Sequence, residues 1–230
     1  MMDAFVASAL TPVLPPPLAV ATDSVLERLP LLARDWLTGW LPEPWRWLAG
    51  SLLAIVTVFS VELVSAAQSL AWDAYKSASP DIINRPLLEA MFATGRPLIL
   101  SSGAADLPEV SRALAWLRER CTSDADQHAR LGVLQCVSSY PTPIQQAALG
   151  GIHALRAAYA GPVGYSDHTA ELDTGALAVM AGASILEKHF TYDRTAKGPD
   201  HSASLDAQGF ARYVAITRRA FEARGPLTKR

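Results

Sequence analysis

From residue 53 onward, apolar and β-branched runs of strand length alternate with helix-like segments. The strand-like runs cover residues 53–59, 74–77, 97–100, 131–137, 163–165 and 184–186. The helix-like segments cover 62–70, 86–94, 107–119, 144–159, 172–181 and 206–224. Strands separated by helix-length connections cannot pair as hairpins, so the pattern predicts a parallel sheet with helices packed on it. The punctuation agrees. Leu107-Pro108-Glu109 opens a helix with proline in its first turn, Gly95 and Gly182 stand where helix C-caps belong, and Gly161-Pro162 marks a turn into a strand. Six such repeats fit a doubly wound sheet or most of a barrel, and periodicity does not choose between them. No GxGxxG follows a strand and no GxxxxGK[ST] occurs, so the fingerprints of nucleotide folds are absent.

Length and composition narrow the class. The chain has 230 residues, half of them hydrophobic and 18% charged, which supports a real core and excludes a disordered chain. A complete eight-unit barrel needs about 250 residues, so a barrel built from this chain is short. The net charge of -2 and the lack of any basic run leave no footprint for nucleic acid or an anionic membrane surface. Cys121 and Cys136 form no CxxC, which reads as a reducing compartment without a disulfide framework.

Residues 1–50 differ from the rest. Seven of the 16 prolines precede Trp45, and four of the six tryptophans lie at positions 36–47. Pro15-Pro16-Pro17 excludes a helix or central strand at that point. A helix over 22–40 is expected, capped by Thr22 or Ser24, with Leu26, Leu29, Leu32 and Trp36 at helical spacing and Pro30 kinking it. Asp3 and the lack of a basic n-region argue against a signal peptide. The apolar run 47–61 is shorter than the ~20 residues of a membrane span, and it reads as a helix end followed by a buried strand. The expected organisation is a divergent Pro/Trp-rich helical segment (1–50), a strand-helix domain (51–225) and a tail (226–230).

Polar residues gather just after the strand-like runs. They are Lys76, Ser77 and Ser79; Ser101, Ser102 and Gly103; Ser138, Ser139 and Tyr140; Ser166, Asp167 and His168; and Glu187, Lys188 and His189. In either α/β arrangement ligands bind at the carboxyl ends of strands. Each serine taken singly reads as an ordinary turn or cap residue. Together with a lysine, they suit an anion such as phosphate, because hydroxyls and freed backbone N–H groups donate and lysine supplies charge.

His168 and His189 close consecutive strands. Neighbouring strands lie about 4.8 Å apart, so two imidazoles at one level can share a metal. The competing reading is a pair of hydrogen-bonded structural histidines. Asp200 lies in Lys197-Gly198-Pro199-Asp200-His201, where glycine and proline fix the backbone; it is either held over the strand ends or a solvated loop acid. Gly164-Tyr165-Ser166-Asp167-His168 is no nucleophile elbow, since histidine replaces the second glycine of GxSxG. His128 reads as a loop residue and His153 as helical, and neither shows a partner.

Five stretches together resemble the N-acetylneuraminate (sialic acid) synthases and related nonulosonate synthases. They are AYKSASPDIINRPLLEA (74–90), GRPLILSSGAADLPEV (95–110), LQCVSSYPTP (134–143), GYSDHT (164–169) and GASILEKHFTYDRTAKGPDHSASLD (182–206). The resemblance covers about 52–225. It implies a (β/α) TIM barrel, incomplete here with about six of eight strand-helix units. It implies a cytoplasmic transferase that condenses phosphoenolpyruvate with N-acetylmannosamine or a related N-acetylated amino sugar, uses Mn²⁺ or Mg²⁺, and releases phosphate. On the matching positions, His168 and His189 are implied metal ligands. Lys76, Ser79, Ser101 and Ser166 are implied to hold phosphoenolpyruvate, Ser138 and Tyr140 to touch substrate, and Asp200 to be an acid near the sugar.

The chain also departs from that family. A first-strand motif like AEIGxNHxG, with a catalytic glutamate, and a second-strand motif like KFQ are both absent from the sequence, as is the antifreeze-like domain of many bacterial members. The expectation is therefore the last six barrel strands. A homologue that binds metal and phosphoenolpyruvate without turnover is the alternative. Barrel surface that has lost its covering strands predicts self-association into a homo-oligomer, or marginal stability.

Overall fold

A computed structural model describes residues 6–9, 55–70, 72–198, 200–201 and 203–225. Among them, seven strands form one sheet: β1 (Val6–Ala9), β2 (Ile55–Thr57), β3 (Ala74–Lys76), β4 (Leu98–Ser101), β5 (Leu131–Gln135), β6 (Val163–Asp167) and β7 (Ile185–His189). The spatial order is β1-β7-β6-β5-β4-β3-β2. Strands β2 to β7 pair in parallel in chain order, giving a curled half-barrel of six strands, the incomplete TIM barrel expected. Strand β1 is an addition that four residues of sequence do not announce. It runs antiparallel along β7, with Val6 opposite His189 and Ala9 opposite Leu186. The expected helix over 22–40 and the tail over 226–230 lie outside the described residues. No described helix is long and apolar enough to cross a membrane.

The helices are α1 (Val61–Gln68), α2 (Arg85–Ala93), α3 (Leu107–Arg118), α4 (Asp124–Arg130), α5 (Gly150–Ala158), α6 (Thr174–Met180) and α7 (Ala207–Arg224). Helix α3 opens with a capping box: Asp106 Oδ1 accepts from the Glu109 N–H at 2.8 Å, and Glu109 Oε2 accepts from the Asp106 N–H at 3.0 Å. Gly95 and Gly182 end α2 and α6 at φ +80 and +103, the left-handed backbone that glycine adopts without a Cβ penalty.

Two expectations need correction. The helix expected over 144–159 is split into a 3-10 turn (Ile144–Gln146) and α5, because Ala148 sits at φ 51 and a left-handed residue cannot propagate a right-handed helix. His128 lies in α4, not in a loop. This segment lacks apolar periodicity and is helical for local reasons. Ser123 Oγ accepts from the Asp126 N–H at 3.1 Å, Asp124 and Asp126 occupy the first turn, and His128 and Arg130 occupy the last.

Alternation along the strands separates two layers. Leu98, Leu100, Leu131, Val133, Val163 and Tyr165 point outward and pack with Leu87, Leu88, Met91, Leu117 and Ile152 from the helices. Ile99, Leu134 and Ile185 form a smaller inner cluster, joined by Ile55. Each fully buried side chain of this size contributes about 1.5–3 kcal/mol. Moving along the strands toward their carboxyl ends, the inner positions turn polar, with Ser101 after Ile99 and Glu187 then His189 after Ile185.

Candidate active site

The inner, carboxyl end of the half-barrel collects the residues singled out in the sequence. Lys76 ends β3 and reaches Glu187 on β7, with Nζ 3.4 Å from Oε1 and the carboxylate side chain 3% exposed. Glu187 Oε2 is buried without a hydrogen-bond partner among the described residues, and so is Ser101 Oγ at the end of β4. Sequence reading placed Glu187 in a strand-end cluster without giving it a role. The signal was available: period-two alternation from His189 puts Glu187 on the same inner face.

A second group closes on the Gly103 backbone. Ser79 Oγ accepts from the Gly103 N–H at 3.2 Å and lies 3.3 Å from Cys136 Sγ. A Cβ at position 103 would meet Cys136 Sγ at 2.6 Å, Ser138 Oγ at 2.9 Å and Ser79 Oγ at 3.0 Å. Only glycine lets these three side chains converge there. Burial pushes the Cys136 thiol above its ordinary pKa, so it remains protonated at neutral pH.

The third group surrounds the histidines. Strand β6 runs to Asp167 and β7 to His189, further than the sequence runs suggested, and Asp167 pairs with Lys188 in register. His168 and His189 therefore stand at neighbouring strand ends, with ring centroids 5.2 Å apart. Burial lowers the pKa of both imidazoles and keeps them neutral. His168 Nδ1 lies 2.7 Å from the Val137 carbonyl oxygen, which only accepts, so Nδ1 carries the proton and Nε2 keeps its lone pair. The Ser166 hydroxyl donates to that Nε2 at 3.1 Å. His189 Nδ1 is buried without a hydrogen-bond partner among the described residues. The Tyr140 ring sits 4.2 Å from His168 and 5.7 Å from His189, and burial pushes its hydroxyl up to about 12.

Asp200 stands apart from these groups. Its negative charge offsets part of the lowering at His189 and adds a little to the rise at Tyr140. No described hydrogen bond of its side chain joins it to the other candidates. Its loop is fastened at both ends: the Thr191 N–H donates to the Leu205 carbonyl at 2.8 Å, and the Leu205 N–H to the His189 carbonyl at 2.9 Å.

The two histidines fit a divalent cation. Both are neutral, one is oriented by a backbone carbonyl as ligating histidines are, and the other leaves a buried ring nitrogen unpaired among the described residues. Among the described residues no group of three or more His, Cys, Asp or Glu side chains could hold a metal, so a cation there would take two histidines from the described chain and need oxygen ligands to complete its shell.

In sequence and fold the chain is similar to several known proteins. An N,N'-diacetyllegionaminic acid synthase from Campylobacter jejuni is 37% identical over 66% of this chain and 44% of its own. An N-acetylneuraminate-9-phosphate synthase from Mus musculus is 33% identical over 67% of this chain and 42% of its own. The solved N-acetylneuraminic acid synthetase from Leptospira borgpetersenii, in complex with citrate, superposes with a TM-score of 0.72 at 34% identity, covering 80% of this chain and 62% of that one. The chain thus spans about half the length of the curated relatives it matches. The model of the NeuB family matches residues 49–229, and this chain belongs to that family.

Proposed function

We propose that this chain carries the metal-binding and phosphoenolpyruvate-binding part of a nonulosonate synthase. The reaction would join phosphoenolpyruvate to N-acetylmannosamine or a related N-acetylated amino sugar, in the cytoplasm, giving a sialic acid-type product and phosphate. The observation that carries this reading is the pair of neutral histidines at adjacent strand ends, His168 buried and His189 half-buried, with Lys76 and the Ser166 hydroxyl beside them, in a NeuB-family chain.

His168 and His189 would hold Mn²⁺ or Mg²⁺, whose chemistry there is Lewis-acid polarisation of an aldehyde oxygen. The Lys76 ammonium and the hydroxyls of Ser79, Ser101 and Ser166 would bind the phosphate and carboxylate oxygens of phosphoenolpyruvate. Ser101 Oγ is buried and without a partner among the described residues, so it gains from such an acceptor. Ser138 and Tyr140 would contact substrate, and Asp200 would supply an acid near the sugar. C3 of phosphoenolpyruvate would attack the aldehyde carbon, water would add at C2, and phosphate would leave with cleavage of its C–O bond. The cationic and hydroxyl groups are placed to stabilise charge on the departing phosphate.

A binding protein without turnover is the second reading, favoured by the absence of the AEIGxNHxG and KFQ motifs from the sequence. Phosphate release from phosphoenolpyruvate, measured with Mn²⁺ and a panel of N-acetylated amino sugars, separates the two. Release that depends on sugar supports the synthase. Binding of Mn²⁺ and phosphoenolpyruvate without release from any sugar supports the binding protein.

A further inference from the structure

Behind the two histidines, on the opposite face of the sheet, lies a buried ion pair that the proposed chemistry does not use. Asp167 Oδ1 and Lys188 Nζ are 3.2 Å apart, and their side chains are 0% and 2% exposed. The two residues face each other in the β6–β7 register, each immediately before a histidine. Alternation turns their side chains outward, where the Tyr213 ring of α7 lies 5.5 Å from Lys188 Nζ.

The pair grips the chain on both sides of His168. Asp167 Oδ1 accepts from the Thr169 N–H at 2.9 Å and the Thr169 hydroxyl at 2.7 Å. Lys188 Nζ donates to the Thr169 carbonyl. Because the Thr169 hydroxyl gives its proton to the carboxylate, it accepts from Thr174 Oγ1 at 2.9 Å, which ties the knot to α6. The His168 carbonyl is itself held by the Thr142 N–H at 2.8 Å. The backbone carrying His168 thus has its preceding side chain and its following peptide bound to one ammonium–carboxylate pair. That ammonium belongs to the residue adjoining His189.

Stability alone gives little reason for such a pair. Desolvating two charges offsets their attraction, and well-packed apolar replacements are often neutral or stabilising. We propose that Asp167 and Lys188 are positioning residues that fix the relative placement of the His168 and His189 rings for a shared divalent cation. The inference rests on the reading of those histidines as metal ligands. Outer groups that orient ligating histidines typically change metal affinity by about 10–100-fold when replaced.

The test uses the full chain and Mn²⁺ alone, titrated calorimetrically, with thermal unfolding and metal-free histidine-ring NMR spectra recorded beside it. The variants are Asp167→Leu/Lys188→Met, which removes both charges together, and Thr169→Val, which removes only the hydroxyl link. Expected is an affinity loss of about 10–100-fold in the double variant, a smaller loss in Thr169→Val, and shifted His168 and His189 ring signals in both, while the proteins remain folded. Unchanged Mn²⁺ affinity in folded variants overturns the proposal. Should the double variant fail to fold, Thr169→Val decides by the same two readouts. Should the wild-type chain not bind Mn²⁺, the metal reading fails. The ring signals then judge positioning separately, and unshifted signals overturn it.

Discussion

Lys76 and Glu187 meet across the mouth of the half-barrel, Nζ 3.4 Å from Oε1, one on the second strand of the parallel series and the other on its last. Removing the carboxylate leaves a largely buried ammonium unpaired, and breaking a buried pair from one side costs about 3–5 kcal/mol. Since the Lys76 side chain keeps 13% exposure, the lower end of that range applies. Glu187→Ala should lower the midpoint of urea unfolding accordingly, and Lys76→Met in the same chain should recover part of the loss. A double variant no more stable than Glu187→Ala would show that the two groups are not coupled.

Gly103 is the point on which Ser79, Cys136 and Ser138 converge. Gly103→Ala should cost about 1–3 kcal/mol by overpacking and weaken phosphoenolpyruvate binding measured calorimetrically. Gly150→Ala, whose Cβ would meet nothing within 4 Å, is the matched control and should leave binding unchanged. Equal phosphoenolpyruvate affinity in the two variants would remove the Gly103 cradle from the site.

His168→Ala and His189→Ala should each abolish tight Mn²⁺ binding. Neither imidazole is replaced by another His, Cys, Asp or Glu cluster among the described residues. Calorimetric titration with Mn²⁺ checks this directly, and wild-type affinity in both variants would refute the two-histidine site.

Alkaline pH should expose the buried tyrosines. Burial raises the hydroxyl pKa of Tyr75, Tyr159, Tyr165 and Tyr213. A raised folded-state pKa contributes stability that is complete below the unfolded value of about 10 and is lost as pH rises through the folded value. Tyrosinate absorbance should therefore lag behind free tyrosine between pH 10 and 12 and then rise together with unfolding. Non-cooperative titration near pH 10 would contradict the burial of these rings.

Much of the architecture follows from local chemistry. The alternation of strand and helix lengths, Pro108 at a helix start and the glycines at 95 and 182 are dictated by backbone sterics and by burial of one face, and residues within a few positions of each other express them. The same period of two places Lys76, Ser101, Ser166 and His189 on the inner face. Helix α4 escaped that reading because caps and end charges, not apolar spacing, form it. The pattern over 144–159 predicts one unbroken helix because a single left-handed residue, Ala148, leaves no mark on hydrophobic spacing.

The sequence by itself determined the succession of six strand-helix units and which side chains stand at their carboxyl ends, because periodicity and turn chemistry are short-range. Only the tertiary structure decided the partners: Lys76 with Glu187, Cys136 with Ser79, Asp167 with Lys188, and β1 laid antiparallel on β7. Those pairings depend on the curl and register of the sheet. Curl and register are set by the packing of the whole half-barrel, so no local run of residues specifies them.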